Sequence, residues 1–184
     1  MKYYEYNSED FAKYDGWYLY GRIRMYDMEK GYGFIYTEDG KDIYMSSYAL
    51  SSHKQEQYCI LGTIVKFRVE QRGERYCAIE VEIMKPTPLN ERLLLPNGEQ
   101  LLVRRISHYG IIGGEKVCDT IGMTREFVLE NDCALWELGY VYITLTHSHG
   151  EYRFFRTGSR VKGDGHVDDL EAFIHELDKK FLYM

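Results

Sequence analysis

The sequence has few of the features that mark membrane, secreted or translocated proteins. None of its apolar runs approaches the length of a membrane span. Residues 1–16, "MKYYEYNSEDFAKYDG", contain no uninterrupted apolar segment of signal-peptide length and are mostly acidic after Lys2. We therefore expect a cytoplasmic protein with no membrane partner. Residues 1–16 are expected to be an N-terminal leader that packs loosely on the first domain or stays disordered.

Cysteine and proline are scarce, and acidic residues outnumber basic ones by 29 to 23. The four cysteines form no CxxC pair, which indicates reduced thiols and argues against a cysteine-based zinc site. Two of the three prolines lie in "KPTPLN", residues 85–90, which predicts a linker at residues 86–90. The net charge of -6 argues against a strongly basic clamp for duplex nucleic acid, although base stacking remains compatible with it.

The chain also lacks the common catalytic motifs: a P-loop, a dinucleotide fingerprint or a G-x-S-x-G elbow. Cys118 and Cys133 suggest a thiol nucleophile, but buried small cysteines are commoner. His147 and His149 form an HxH pair without visible further ligands, so a polar hairpin loop is the simpler interpretation. "GDGH", residues 163–166, lacks a full calcium-loop pattern and is interpreted as a turn. We expect no enzyme, no cofactor and no metal site.

Tyrosine, in contrast, is abundant, with 18 residues, and favours β structure with a half-wet surface. Between residues 17 and 85 the apolar and polar residues alternate in short segments separated by turns, among them an Asp-Gly turn in "EDGK". Five strands are predicted: "YLYGRIRMY", "GYGFIYT", "KDIYMSS", "TIVKFRVEQ" and "RYCAIEVEIM".

Residues 91–184 are predicted to form a small α+β domain. "RLLLPNGEQLLVRRI" and "YVYITLTHSHGEYRFFRT" are each predicted to be a β-hairpin. "DDLEAFIHELDKKF" is predicted to be an amphipathic helix with the acidic start that helices favour. A basic run on the last hairpin is interpreted as a solvated strand edge, with a phosphate-contacting patch as the alternative; it comprises Arg153, Arg156, Arg160 and Lys162.

The segment "KGYGFIYTEDG", residues 30–40, raises the question of function. Alternate side chains of a strand share a face, so Tyr32 and Phe34 form one surface, opposite Gly33 and Ile35. An arbitrary aromatic pair more often faces the core. Whether this aromatic face belongs to the core or to a binding surface depends on the pattern of the other strands.

Those strands resemble a cold-shock domain over residues 17–85. "KGYGFI" stands as the first ribonucleoprotein-type motif of that family and "DIYMS" as the second, and "GRIRMY", "GTIVKFRV" and "YCAIEV" also fit. The resemblance implies a five-stranded Greek-key barrel of the OB type, whose outer face binds single strands. The implied fold is therefore mainly β, with this barrel followed by the α+β domain.

The resemblance also implies which side chains face the ligand and which fill the core. The implied nucleic-acid-binding residues are Arg24, Tyr26, Lys30, Tyr32, Phe34 and Tyr44. The implied core residues are Ile23, Ile35, Ile43, Met45, Val65 and Phe67. Three positions depart from the family: Met25 replaces a stacking tryptophan, Ser46 a histidine and Ser47 a phenylalanine, while Tyr48 is either a substitute or a loop anchor.

These features predict a protein that binds single-stranded RNA or DNA by base stacking, as an RNA chaperone or a regulator of transcription or translation. Residues 17–85 carry ten basic and ten acidic residues, so the attraction to phosphates should be modest. The alternative is a protein-interaction module in which the depleted aromatic face contacts protein. The second domain is expected to contact a protein partner or the strand itself, and an enzyme in that domain is the third alternative.

Overall fold

The computed structural model describes residues 7–121, 134–146 and 150–183, without the side chains of residues 118–121. The strands of the first unit are β1 (Tyr18–Asp27), β2 (Tyr32–Thr37), β3 (Asp42–Ser46), β4 (Ile64–Arg72) and β5 (Arg75–Lys85). They form a closed barrel in the order β1-β2-β3-β5-β4, in which β4 pairs antiparallel with β1. The predicted five-stranded barrel of the OB type is confirmed.

Alternation along the strands fills the barrel as the sequence predicts. Inward side chains of β2 and β3 are buried while their outward neighbours are half-exposed. All six predicted core residues are fully buried: Ile23, Ile35, Ile43, Met45, Val65 and Phe67. The alternation of apolar and polar residues along these strands therefore predicts which side chains face the barrel interior.

The leader packs against the barrel from residue 8 onward. Ser8–Tyr14 forms a 3-10 helix, capped by the side chain of Asn7, which accepts a hydrogen bond from the backbone N–H of Glu9. Phe11 is 1% exposed and lies in the apolar cluster of the barrel. A loosely packed leader is therefore wrong for these residues, because burying the Phe11 ring anchors the helix.

The second unit contains two sheets and three α-helices among the described residues. Its strands are β6 (Arg92–Leu94), β7 (Gln100–Leu102), β8 (Ile106–Ile112), β9 (Tyr140–Leu145), β10 (Glu151–Arg156) and β11 (Gly165–Val167). Its helices are α1 (Gly114–Ile121), α2 (Leu135–Leu138) and α3 (Leu170–Phe181). β6 pairs with β7, and the other four strands form a sheet in the order β11-β10-β9-β8.

Both hairpins and the helix of the second unit occur where the sequence predicts them. Asp169 caps α3 by accepting hydrogen bonds from the backbone N–H groups of Glu171 and Ala172. The predicted turn at residues 163–166 is wrong in part, because Gly165–Val167 is a strand that pairs parallel with β10. That pairing also places β10 inside the sheet, so the basic run does not lie on a strand edge.

One apolar cluster joins the two units. Ile60 and Leu61, which precede β4, are buried in the same cluster as Phe181 of α3. The linker is also held, since Thr87 donates hydrogen bonds from its N–H to Thr63 Oγ1 and from its hydroxyl to the Leu61 carbonyl, at 3.0 and 2.9 Å. Because burial of these residues needs both units, we expect them to unfold together.

Candidate functional site

The outer face of β1, β2 and β3 carries its side chains in rows that cross the strands. Backbone register decides which residues stand side by side. The three rows are Asp27-Tyr32-Ser46, Met25-Phe34-Tyr44 and Arg22-Tyr36-Asp42. We call them the first, second and third row.

Three rings of the first two rows contact one another, and we call Tyr32, Phe34 and Tyr44 the aromatic triad. The Tyr32 and Tyr44 rings are stacked, with their centroids 6.1 Å apart and their planes at 21°. Phe34 meets Tyr32 edge-on at 6.3 Å and Tyr44 at 6.0 Å. All three side chains are half-exposed. The triad is therefore a fixed aromatic surface that remains accessible from outside the barrel.

The two glycines beside the rings, Gly31 and Gly33, are required for different structural reasons. Gly33 faces inward opposite Tyr26, and a Cβ atom there would lie 2.3 Å from the Met25 carbonyl oxygen. Gly31 has a φ of 66° and closes the β1–β2 turn by donating its N–H to the Asp27 carbonyl. Gly33 thus leaves room for the β1 backbone and the inward Tyr26, whereas Gly31 allows the turn between β1 and β2.

Tyr26 is a correction to the predicted binding face. Its side chain is 4% exposed and its hydroxyl donates a 2.6 Å hydrogen bond to Glu56. Burial, followed by this bond to Glu56, raises its pKa. A β-bulge between Ile23 and Met25 is the reason, because the extra residue, Arg24, reverses the alternation that follows it. Tyr26 therefore turns inward and Met25 turns outward.

Arg24 and Lys30 lie on the outside but at different borders of the face. The Arg24 guanidinium lies 3.6 Å from Asp42 and 5.2 Å from the centroid of the Tyr36 ring, so it belongs with the third row. The exposed Lys30 ammonium lies 3.3 Å from Asp27, beside the first row. Of the six predicted site residues, the structure brings the triad together, places Lys30 at its rim and turns Arg24 away.

The second unit packs against the third row. Tyr36 packs against the cluster that contains α3, and burial, the largest cause, raises its pKa. Burial also raises the pKa of Asp42 to about 6, although the nearby Arg24 lowers it. All three rows are half-exposed, but the third row is engaged with the second unit. The two rows that carry the triad are therefore the candidate ligand face.

Two of the three positions that depart from the cold-shock pattern, Met25 and Ser46, fall within the accessible rows. Met25 stands beside Phe34, at the opposite end of the second row from Tyr44, and Ser46 stands beside Tyr32. Ser47 donates its N–H to the Gly31 carbonyl and so joins β3 to the turn. Tyr48 is 88% exposed, so the interpretation of this ring as a loop anchor is wrong.

The other candidate residues do not assemble into a second site among the described residues. His147, His149 and Cys133 lie outside the described residues, as does the side chain of Cys118. Burial raises the pKa of the Cys59 thiol to about 12, which makes it a poor nucleophile. Residues 7–121, 134–146 and 150–183 contain no group of three His, Cys, Asp or Glu side chains placed to hold a metal.

The arginines of the basic run are engaged by carboxylates. Arg153 pairs with Glu151 at 2.8 Å, Arg156 with Glu171 at 3.2 Å, and Arg160 with the buried Glu137 at 3.0 Å. The Arg160 bonds, the largest cause, lower the pKa of Glu137. These ion pairs argue against the phosphate-contacting patch that the sequence left open.

No protein-family model matches the chain, and no curated protein is significantly similar to it. A functional proposal therefore has to be based on the geometry and chemistry of the chain itself. No helix in the part of the chain that the structure describes is both long and apolar enough to cross a membrane.

Proposed function

We propose that the chain binds single-stranded RNA or DNA by stacking bases on the aromatic triad, in the manner of a cold-shock domain. The observation that carries the proposal is the triad itself: three half-exposed rings with centroids 6.0–6.3 Å apart on the outer face of an OB-type barrel. Stacking on such rings contributes about 1–3 kcal/mol per base and tolerates any base. The protein would act as an RNA chaperone or as a regulator of transcription or translation.

The charges near the triad predict a moderate affinity. Asp27 partly neutralises Lys30, and Arg24 faces Asp42 rather than the rings. Stacking would therefore supply most of the binding free energy, and few counterions would be released. We expect a dissociation constant in the micromolar range, about -8 kcal/mol, with a shallow dependence on salt.

The test is a titration of the intact chain against a labelled single strand of about 12 nucleotides, within the range that one OB fold contacts. Fluorescence anisotropy should report micromolar binding of RNA or DNA single strands. The duplex of the same sequence should compete poorly, because its bases are already stacked on one another. Equal binding of duplex and single strand, or no binding of either, would contradict the proposal.

The second candidate is a protein-interaction module, in line with the alternative left by the sequence. It is favoured by Met25 and Ser46, which place non-aromatic side chains in both accessible rows. A half-exposed aromatic surface without strong positive charge also suits a protein partner. Failure of all single strands to bind, with the triad intact, would favour this candidate.

The variant Met25→Trp with Ser46→His should tighten single-strand binding by about tenfold. Each new ring would extend a row that already contains triad rings, and one additional stacked base is worth about 1–3 kcal/mol. The measurement is the same anisotropy titration. Tyr20→Trp, which changes an exposed ring outside the three rows, is the matched control and should leave the affinity unchanged. A folded double variant with unaltered affinity would argue against an open nucleic-acid face.

A further inference from the structure

A groove of about 1020 Å³ lies on the outside of the barrel between β3 and the β4–β5 pair. It exists because β3 and β5 are poorly paired: their register contains the single parallel pair Met45–Ala78, and a bridge from Leu50 to Val81 follows. The volume is at the upper end of the range of about 300–1,000 Å³ for small-molecule pockets. The groove therefore has room for a short extended segment of a polymer.

The groove is continuous with the aromatic triad. Tyr44 and Ser46 belong to the first two rows and also line the groove. Tyr48, two residues after Ser46 and 88% exposed, lines it as well. A strand that crosses the rows from β1 towards β3 would therefore enter the groove without changing direction.

The far wall presents another ring and a cation. Tyr18 is 52% exposed, and the Lys66 ammonium lies 4.9 Å from the centroid of its ring. The Tyr18 hydroxyl donates a 2.5 Å hydrogen bond to Glu80, which also accepts a 2.8 Å bond from Arg68. The Tyr18 ring is thereby fixed at the groove with one face beside a cation.

Glu80, the residue whose carboxylate fixes this wall, has an unusual backbone conformation. Glu80 has a φ of 50° and is the one non-glycine residue with positive φ in the described part of the chain. It lies where the β4–β5 register shifts between Lys66 and Arg68. Strained backbone of this kind persists where surrounding structure holds it and is common at binding sites. Here the residue with the positive φ is the one whose carboxylate accepts hydrogen bonds from both Tyr18 and Arg68.

The charge of the groove differs in sign from that of the whole chain. Four basic and three acidic side chains line it: Lys66, Arg68, Arg72, Arg75, Glu70, Glu80 and Glu82. Two of the three acids are already paired, Glu70 with Arg72 at 2.9 Å and Glu80 with Arg68 at 2.8 Å. Lys66, Arg75 and the third acid, Glu82, remain, and Glu82 stands opposite Lys66 in the β4–β5 register. Four basic minus three acidic side chains leave a net charge of +1 in a groove that carries rings on both walls. Rings combined with cations suit a single-stranded polyanion.

We propose that this groove is a second subsite for the same single strand: beyond the triad the strand passes Tyr48, its next bases stack on Tyr48 and Tyr18, and its phosphates face Lys66 and Arg75. The inference rests on the proposed function and deepens it, because it extends the footprint from one face of the barrel to the adjoining groove. The ligand is then a strand longer than the triad alone can contact.

The experiment compares a short oligonucleotide of about four nucleotides with a long one of about 12, using the intact chain. The double variant Tyr18→Ala with Tyr48→Ala should weaken binding of the long oligonucleotide about tenfold and leave the affinity for the short one unchanged. Tyr20→Ala is the matched control, because Tyr20 is 47% exposed on the same strand but does not line the groove. Tyr18→Phe keeps the ring, removes the bond to Glu80 and should retain long-strand binding.

A charge variant provides a readout that does not depend on the rings. Arg75→Ala should remove one phosphate contact and so reduce the slope of log affinity against log salt concentration by about one for the long strand. The slope for the short strand should stay unchanged. Circular dichroism should confirm that each variant is folded. Long and short strands that respond equally to every groove variant would overturn the groove subsite while leaving the proposed function intact. Absence of binding at both lengths would instead overturn the proposed function.

Discussion

Replacing Phe34 with alanine is expected to weaken single-strand binding about five- to 150-fold, the loss of one stacked base at about 1–3 kcal/mol. Phe34 occupies the middle of the second row and contacts both other rings of the triad. Its removal would therefore also leave Tyr32 and Tyr44 less firmly held. The measurement is an anisotropy titration of the wild-type chain and the variant at one salt concentration.

The structural effect of the same change should be small. Phe34 is half-exposed on the outer face, so its truncation opens no enclosed cavity in the barrel. Tyr20→Ala provides the control for loss of an outward ring on the barrel. If Phe34→Ala kept full affinity but lowered the melting temperature strongly, the ring would be part of the structural core and the binding face would be wrongly assigned.

Replacing Phe181 with alanine is expected to lower the free energy of unfolding by about 3–5 kcal/mol, the range found for buried phenylalanines. Phe181 is 3% exposed, lies 6.1 Å from the Tyr109 ring between centroids, and shares its cluster with Leu61. This loss is a large share of a typical stability of about 5–15 kcal/mol. Because the cluster includes residues of the barrel, the variant should destabilise both units together.

The two tryptophans allow this coupling to be measured. Trp17 precedes β1 of the barrel and Trp136 lies in α2 of the second unit. Urea unfolding followed in Trp136→Phe and in Trp17→Phe backgrounds would report each unit separately. Phe181→Ala should shift both transitions equally, and so should Phe11→Ala, which removes one buried ring from the barrel cluster. A shift confined to the unit that carries each substitution would show independent folding instead.

Much of the barrel could be predicted from the sequence, because alternation is a local property of an extended chain. The buried Ile35 and the outward Phe34 are neighbours whose opposite orientations follow from strand geometry alone. The Asp-Gly turn and the amphipathic α3 are likewise encoded within a few residues. The sequence pattern does not predict β8, because a register shift between Ile106 and His108 interrupts the alternation of its buried and exposed residues.

The candidate site was predictable only in part. Tyr32, Phe34 and Tyr44 lie on regular strands, so the sequence placed them on one surface. Tyr26 was placed wrongly, since the bulge at Arg24 becomes visible only when β1 is aligned with β2. The groove escaped prediction for a similar reason: Tyr18 and Tyr48 lie 30 residues apart and meet at one cavity through the barrel closure.

The sequence by itself determined the order of the strands along the chain, their inward side chains, the aromatic triad and the apolar stripe of α3. The tertiary structure decided which part of the outer face contacts the second unit, since Tyr36 packs against the apolar cluster that contains Phe181 of α3. It also decided the side of β1 on which Tyr26 and Met25 lie, and it created the groove between β3 and β5. The physical reason is that alternation depends on neighbouring residues, whereas register, closure and coverage depend on contacts between segments far apart in the chain.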